Sequence, residues 1–215
     1  MKIGIIGANG NAGSALVAEA LKRSDQVVAF VRDAKRTYQM FGTNDSIEVI
    51  EKDVFDINEH DLKDLDALVD TYRAAPGQEN YHVKLAEHLT NLAKGTDLLE
   101  LFILGSSTLR NPDGSVMADE LPGHENDAPW IPGAIAQGKE LDFLRTVKDV
   151  NWIGFSPQQA FYPGPASGYK IGKDDLMISL RTGQSSISTG NAAMAILDQL
   201  HKPEFIKDRF TASDV

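Results

Sequence analysis

The chain has 215 residues, enough for one sizeable core and too few for two ordinary domains, so one compact domain is expected. Its formal net charge of -10 argues against nucleic acid as a partner, because a phosphate backbone calls for clustered Lys and Arg. With no cysteine, disulfides, thiolate metal sites and a cysteine nucleophile are excluded. The opening stretch Met1 to Gly7 is too short and too glycine-broken for a signal peptide, and no later run reaches membrane-spanning length. No membrane partner is therefore expected, and a cytoplasmic location is the default.

Short apolar runs recur along the chain at Ile3 to Ile6, Val27 to Val31, Ile47 to Ile50, Leu65 to Val69, Leu98 to Leu104 and Trp152 to Phe155. Several lack period-two alternation, as expected of strands buried on both faces of a parallel sheet. Between them, Gly13 to Arg23 aligns Leu16, Val17, Ala20 and Leu21 on one helical face, and His82 to Lys94 aligns Leu85, Leu89 and Leu92. Further helices are expected from about Ile135 to Lys148 and from Asn191 to Leu200. The pattern is that of repeated βαβ units: an α/β, Rossmann-type, doubly wound and mainly parallel sheet with helices on both faces. Residues 105–133 and 156–190 break the alternation and follow strands, so they are the candidates to cover a small-molecule substrate.

Gly7, Gly10 and Gly13 lie three apart, after the first strand and at the start of the first helix, in Gly7-Ala8-Asn9-Gly10-Asn11-Ala12-Gly13. Gly7 permits the tight turn, Gly10 lets backbone approach a pyrophosphate, and Gly13 lets helix pack on strand, while the helix N-terminus offers unpaired amides. The context points to dinucleotide binding through Gly7, Asn9, Gly10, Asn11, Ala12 and Gly13. About twenty residues on, Arg32 stands where an acid would select NAD and an arginine selects the 2′-phosphate of NADP. Lys35 and Arg36 add positive charge; Asp33 beside them keeps NAD open, and a solvated basic turn is the bland alternative.

On this turn, on Val31-Arg32-Asp33, Lys52-Asp53-Val54-Phe55-Asp56, Ser156-Pro157 and Ser186-Ile187-Ser188, the chain resembles the atypical short-chain dehydrogenase/reductases. Within that group it is similar to the NADH-flavin reductases with an NmrA-like NAD(P)-binding fold. The resemblance runs nearly end to end. It implies that Asp53 and Val54 border the adenine and that Thr71, Tyr72 and Arg73, in the segment Asp70 to Gly77, line the cofactor. It also implies that Ser106, Ser107 and Thr108 lie near the nicotinamide.

Ordinary short-chain dehydrogenases use a Tyr with a Lys four residues on, which lowers the tyrosine pKa for proton exchange. The matching helix holds Ile135 and Lys139, so the lysine remains and the tyrosine is gone. Tyr169 and Lys170 to Lys173 have the spacing but lie in a glycine- and proline-rich region where no helix is expected. Ser106 and Ser107 are candidates to bond a substrate, with satisfaction of the strand-end backbone as the equal alternative. His82 and His88, six apart, do not share a helix face as a metal pair would, and no metal is expected; His124 reads as a solvated loop residue. Trp130, Phe161 and Tyr162 offer flat walls for an aromatic substrate such as flavin, although loop aromatics also form satellite core. A flavin or quinone-like acceptor, which takes hydride directly, reconciles the missing tyrosine with reductase activity. The alternatives are a non-catalytic redox sensor of NmrA type and a nucleotide-sugar epimerase or dehydratase.

Overall fold

The computed structural model describes residues 1–215. In chain order the elements are β1 (Lys2–Ile6), α1 (Asn11–Lys22), β2 (Gln26–Val31), α2 (Ala34–Phe41), β3 (Ile47–Glu51), α3 (Glu59–Leu62), β4 (Ala67–Asp70) and α4 (Tyr81–Ala93). There follow β5 (Leu99–Ile103), α5 (Met117–Glu120), α6 (Ile131–Thr146), β6 (Asn151–Ser156), β7 (Ala160–Tyr162), β8 (Tyr169–Gly172), β9 (Ser186–Ser188), α7 (Thr189–His201) and β10 (Asp208–Asp214). Single 3-10 turns occupy Val54–Asp56 and Ser106–Thr108. The main sheet has eight strands in the order β3-β2-β1-β4-β5-β6-β10-β8, all pairs parallel except β10 with β8; β7 and β9 form a separate parallel pair.

Each central strand feeds two cores, because successive side chains leave opposite faces. Ile5, Val27, Val69, Leu101 and Ile153 join Leu16 and Val17 of α1 and Ile196 and Leu197 of α7 on one side. Their chain neighbours Ile6, Val28, Leu68, Phe102 and Trp152 join Leu85 and Leu89 of α4 and Leu141 and Leu144 of α6 on the other. A doubly wound Rossmann-type α/β fold is the result, as the apolar runs indicated. No helix is long and apolar enough to cross a membrane.

Two parts depart from the sequence-based expectation. Residues 34–41, for which no helix was expected, form α2, because the Asp33 carboxylate caps the helix by accepting from the Arg36 amide at 2.9 Å. Residues 156–190, read as a covering loop, contain β7, β8 and β9, and the chain ends in β10, which has no apolar run. Its buried Thr211, Ser213 and Asp214 are polar; Thr211 accepts from Gln158 Nε2 at 2.7 Å, and Asp214 accepts from the Ser188 amide at 2.9 Å and Asn191 Nδ2 at 2.7 Å. Satisfied polar burial replaces the hydrophobic signal there.

Candidate active site

The glycine turn sits at the C-terminal edge of β1. Gly7 has φ +74°, its N–H donates to the Phe30 carbonyl at 2.9 Å, and a Cβ on it would lie 2.8 Å from Thr71 Oγ1. That hydroxyl in turn donates to the Ile6 carbonyl at 2.7 Å, tying the turn to the end of β4. Gly10 precedes α1 in extended backbone and no side chain caps the helix, so its first-turn amides stay available. Asn9 has a different position from its neighbours: its Nδ2 donates to the Asp33 carbonyl at 3.2 Å and to Thr37 Oγ1 at 3.3 Å, joining the turn to the start of α2. The bare helix end and the missing Cβ atoms suit the pyrophosphate of a dinucleotide.

From Gly10, Asn11 and Ala12 a cleft of about 830 Å³ opens across the C-terminal ends of β4, β5 and β6. Thr71, Tyr72 and Arg73 line it after β4, Ser106 and Ser107 after β5, and Gln158 and Gln159 after β6. Trp130 and Phe161 form apolar walls, from the two segments expected to cover the site. Trp130 is 55% exposed, an open ring at the mouth. Arg32, Asp53 and Val54 lie beyond the cavity, at the ends of β2 and β3. Arg32 is exposed and forms no ion pair with another residue, while Asp53 accepts from the Phe55 amide at 3.0 Å. Tyr72 bridges the two regions: burial raises its hydroxyl pKa, Arg32 opposes that rise and Asp53 adds to it.

The catalytic candidates separate. Ser106 and Ser107 reach the cleft, with Ser107 Oγ donating to the Ala134 carbonyl at 3.4 Å. Lys139 and Ile135 do not: they line a second cavity of about 460 Å³ on the far side of α6 with Arg110 and Arg209. The register assumed from the sequence is therefore displaced. The face of α6 turned to the cleft carries Gly133, Ala134 and Gln137, so the pair four residues apart is Gly133 and Gln137. Gln137 Oε1 lies 2.6 Å from where a Gly105 Cβ would be, packed on the strand-end backbone. Tyr169 is in β8, and its hydroxyl donates to Asp198 at 2.5 Å, away from the cleft. Tyr162 donates to Asp214 at 2.6 Å instead of facing a ligand. His124 is exposed beside Asp127, and His88 Nε2 lies 2.8 Å from the Ile57 carbonyl.

Gln137 and Gln158 are cleft residues that the sequence reading passed over, and His82, weighed there only as half of a metal pair, also lines the cleft. Gln158 is fully buried, its Oε1 accepting from the Met177 amide and Ser185 Oγ, each at 2.8 Å. Its signal was available: Gln158 directly follows Ser156-Pro157 at a strand C-terminus, the ligand side of such a sheet.

Behind Tyr72, on the α4 and α6 side of the sheet, lies a group of buried ionisable side chains. Asp70, Glu100 and Glu140 are 6%, 1% and 1% exposed, and His82 is 6% exposed. Both Glu100 carboxyl oxygens and Glu140 Oε2 have no hydrogen-bond partner, and His82 Nδ1 lies 3.5 Å from Glu140 Oε2 without hydrogen-bond geometry. Burial, then Glu140, pushes the Asp70 carboxyl up to about 7 despite the opposing Tyr72 amide. Burial, then Asp70, pushes Glu100 up to about 8; burial raises Glu140 well above its ordinary range and lowers His82.

Comparison with known proteins agrees with this arrangement. A family model described as NAD(P)H-binding matches residues 7–203. YwnB of Bacillus subtilis strain 168 is 36% identical, the match covering 98% of this chain and 97% of that protein. A Lactobacillus casei protein of known structure is 41% identical with a TM-score of 0.95, each chain covered fully. The structure of a putative NADH-flavin reductase from Streptococcus pneumoniae TIGR4 is 31% identical with a TM-score of 0.85, again over both whole chains. The match across the glycine turn and most of the sheet, with relatives of this identity along their full length, places the chain in the NAD(P)H-binding family, among the atypical, NmrA-like short-chain dehydrogenase/reductases.

Proposed function

We propose that the protein is an NADPH-dependent reductase that passes hydride to flavin or a similarly flat, quinone-like acceptor. The observation that carries this reading is the face that α6 turns to the cleft. Gly133 and Gln137 stand where a tyrosine and lysine would be needed to exchange a proton with a carbonyl or alcohol oxygen, and Lys139 points elsewhere. A flat conjugated acceptor needs no such pair: it takes hydride directly, and the protein has to bind and orient it. The NADH-flavin reductase description of the pneumococcal relative supports the same direction.

In this reading Gly7, Gly10, Asn11, Ala12 and Gly13 receive the pyrophosphate, and Asn9 holds that turn against the start of α2. Arg32, unpaired and exposed, takes the 2′-phosphate; Asp33 is engaged as the cap of α2 and is less free to take a ribose hydroxyl. Asp53 and Val54 border the adenine, and Thr71, Tyr72 and Arg73 follow the cofactor toward the nicotinamide. Ser106 and Ser107 lie at the reacting end, with Trp130 and Phe161 as the walls of the acceptor site. The reduced nicotinamide supplies the hydride; the chain supplies alignment and shelter from water.

The test is oxidation of NADPH and NADH, followed at the nicotinamide absorbance, with FMN, FAD, riboflavin and simple quinones as acceptors. Turnover with NADPH preferred is the expected result. Tight binding with no oxidation by any acceptor would overturn the reductase reading in favour of a sensor of NmrA type.

A further inference from the structure

Two backbone amides of segment 71–74 are held by titratable side chains. The Tyr72 amide donates to Asp70 Oδ1 at 2.7 Å, and the Ala74 amide donates to His82 Nε2 at 3.5 Å. The rings of Tyr72 and His82 also meet edge to face at 5.8 Å, so His82 touches the segment twice. Both acceptors belong to the buried group that includes Glu100 and Glu140, in which three carboxyl oxygens have no partner.

We propose that Asp70 and His82 are positioning residues for segment 71–74, and that their hold on it tightens as the buried group loses protons and slackens as it gains them. The inference rests on the reading of 71–74 as cofactor-lining. An ionised Asp70 is the stronger acceptor for the Tyr72 amide, since a charge-assisted bond is about twice as strong as a neutral one. A neutral His82 leaves Nε2 with a lone pair for the Ala74 amide; protonation puts a hydrogen there and the bond is lost. Both changes run in the same direction with pH.

The surroundings set where this happens. Asp70 faces Glu140 from α6, Glu100 from β5, His82 from α4 and the Tyr72 amide. His82 faces Asp70 and Glu140, with Glu79 and Arg73 at the cleft side. Burial and the mutual repulsion of the carboxyls bring Asp70 to about 7, so the change falls in the neutral range. A lone carboxylate bonding an amide at the surface would have titrated far below it.

The experiment reads amide hydrogen exchange of the cofactor-free protein between pH 6 and 8, corrected for intrinsic exchange, together with NADPH titrations over the same range. In the native sequence the protection of the Tyr72 amide should fall about tenfold from pH 8 to pH 6, an estimate from one lost charge-assisted bond, while the Ala74 amide, held by a His82 whose pKa burial lowers, should lose protection only toward the acid end of the range. Asp70→Asn keeps an Oδ1 acceptor that cannot titrate, so Tyr72 protection should stay level. The ratio of NADPH affinities, native over Asp70→Asn, should fall severalfold toward pH 6, and taking the ratio cancels titration of the nucleotide's own phosphate. Glu140→Gln removes a neighbouring charge and should shift the native exchange curve to lower pH. The proposal is overturned if Tyr72 protection follows the same pH course in the native protein and Asp70→Asn, or if Glu140→Gln leaves the curve in place. Failure of any pyridine nucleotide to bind would overturn the functional reading instead, while the exchange data still decide this one.

Discussion

A Cβ at position 13 would lie 2.2 Å from the Gly7 carbonyl oxygen and 2.8 Å from Ala8 Cα, so α1 meets the end of β1 backbone to backbone. The approach holds the open end of the helix over the turn that precedes it. Gly13→Ala must move one or the other. Overpacking of this kind costs about 1–3 kcal/mol, more than the ~1 kcal/mol that alanine gains over glycine within a helix. Thermal unfolding should show the loss, and NADPH titration should show at least tenfold weaker binding. An unchanged melting temperature with unchanged affinity would mean that the close approach has no role.

Arg32 is the residue expected to separate the two cofactors. Arg32→Ala should weaken NADPH by about tenfold or more and NADH by no more than about twofold, the former corresponding to one charge-assisted contact at an exposed site. Dissociation constants measured for both nucleotides check this. Equal losses would remove Arg32 from the 2′-phosphate site.

The buried carboxyls make a prediction about stability whose sign is opposite to the usual one. Asp70 and Glu100 have folded-state values above the ordinary range, so the folded chain binds protons more tightly than the unfolded one. The stabilisation they give is complete in acid below the ordinary carboxylate range and is lost as pH rises through about 7 to 8. Asp214 runs the other way: burial pushes it up, but Tyr162, Ser188 and Asn191 outweigh that and hold it low, so its contribution is lost only as pH falls through its lowered value. Glu100→Met replaces a carboxyl without partners by an apolar chain of similar length. At pH 8 it should raise stability by about 2 kcal/mol, or roughly 4–8 °C in Tm, and flatten the fall between pH 6 and 8. Denaturant unfolding at three pH values would detect it, and a destabilised variant at pH 8 would refute the account.

Lys139 and Gln137 are two residues apart on α6 and serve as a paired control. Lys139→Ala, outside the cleft, should leave NADPH oxidation within about twofold of native, a change of less than half a kcal/mol. Gln137→Ala and Trp130→Ala alter the cleft wall and should raise KM for the acceptor with little effect on NADPH affinity. Steady-state kinetics with acceptor varied at saturating NADPH distinguish these. A large loss of kcat in Lys139→Ala would restore the register read from the sequence.

The legible part of the fold was the part held by apolar burial. β1 to β6 carry short apolar runs whose neighbours serve the two cores, and α1, α4, α6 and α7 show helical stripes, so order and type could be read without coordinates. β10 could not be read, because Thr211 and Asp214 are buried through hydrogen bonds that come from residues some 23 to 53 positions away. α2 was masked by Lys35 and Arg36, which signal a basic turn until the Asp33 cap is seen. At the site, the glycine turn was visible because its chemistry is local. The cleft face of α6 was not, since a shift of two residues along a helix rotates a side chain by about 200° and exchanges Lys139 for Gln137.

The position of β10 between β6 and β8 has a consequence for the order in which the chain acquires its shape during synthesis. β8, residues 169–172, has no other neighbour in the main sheet, and β6 offers an open edge until residues 208–214 arrive. A nascent chain halted after α7 therefore presents an unpaired strand edge of the sort that invites association with other chains. Gln158, at the cleft, also lacks the Thr211 hydroxyl that orients it. The wall of the pocket nearest β6 is thus completed last, by residues that never touch its contents.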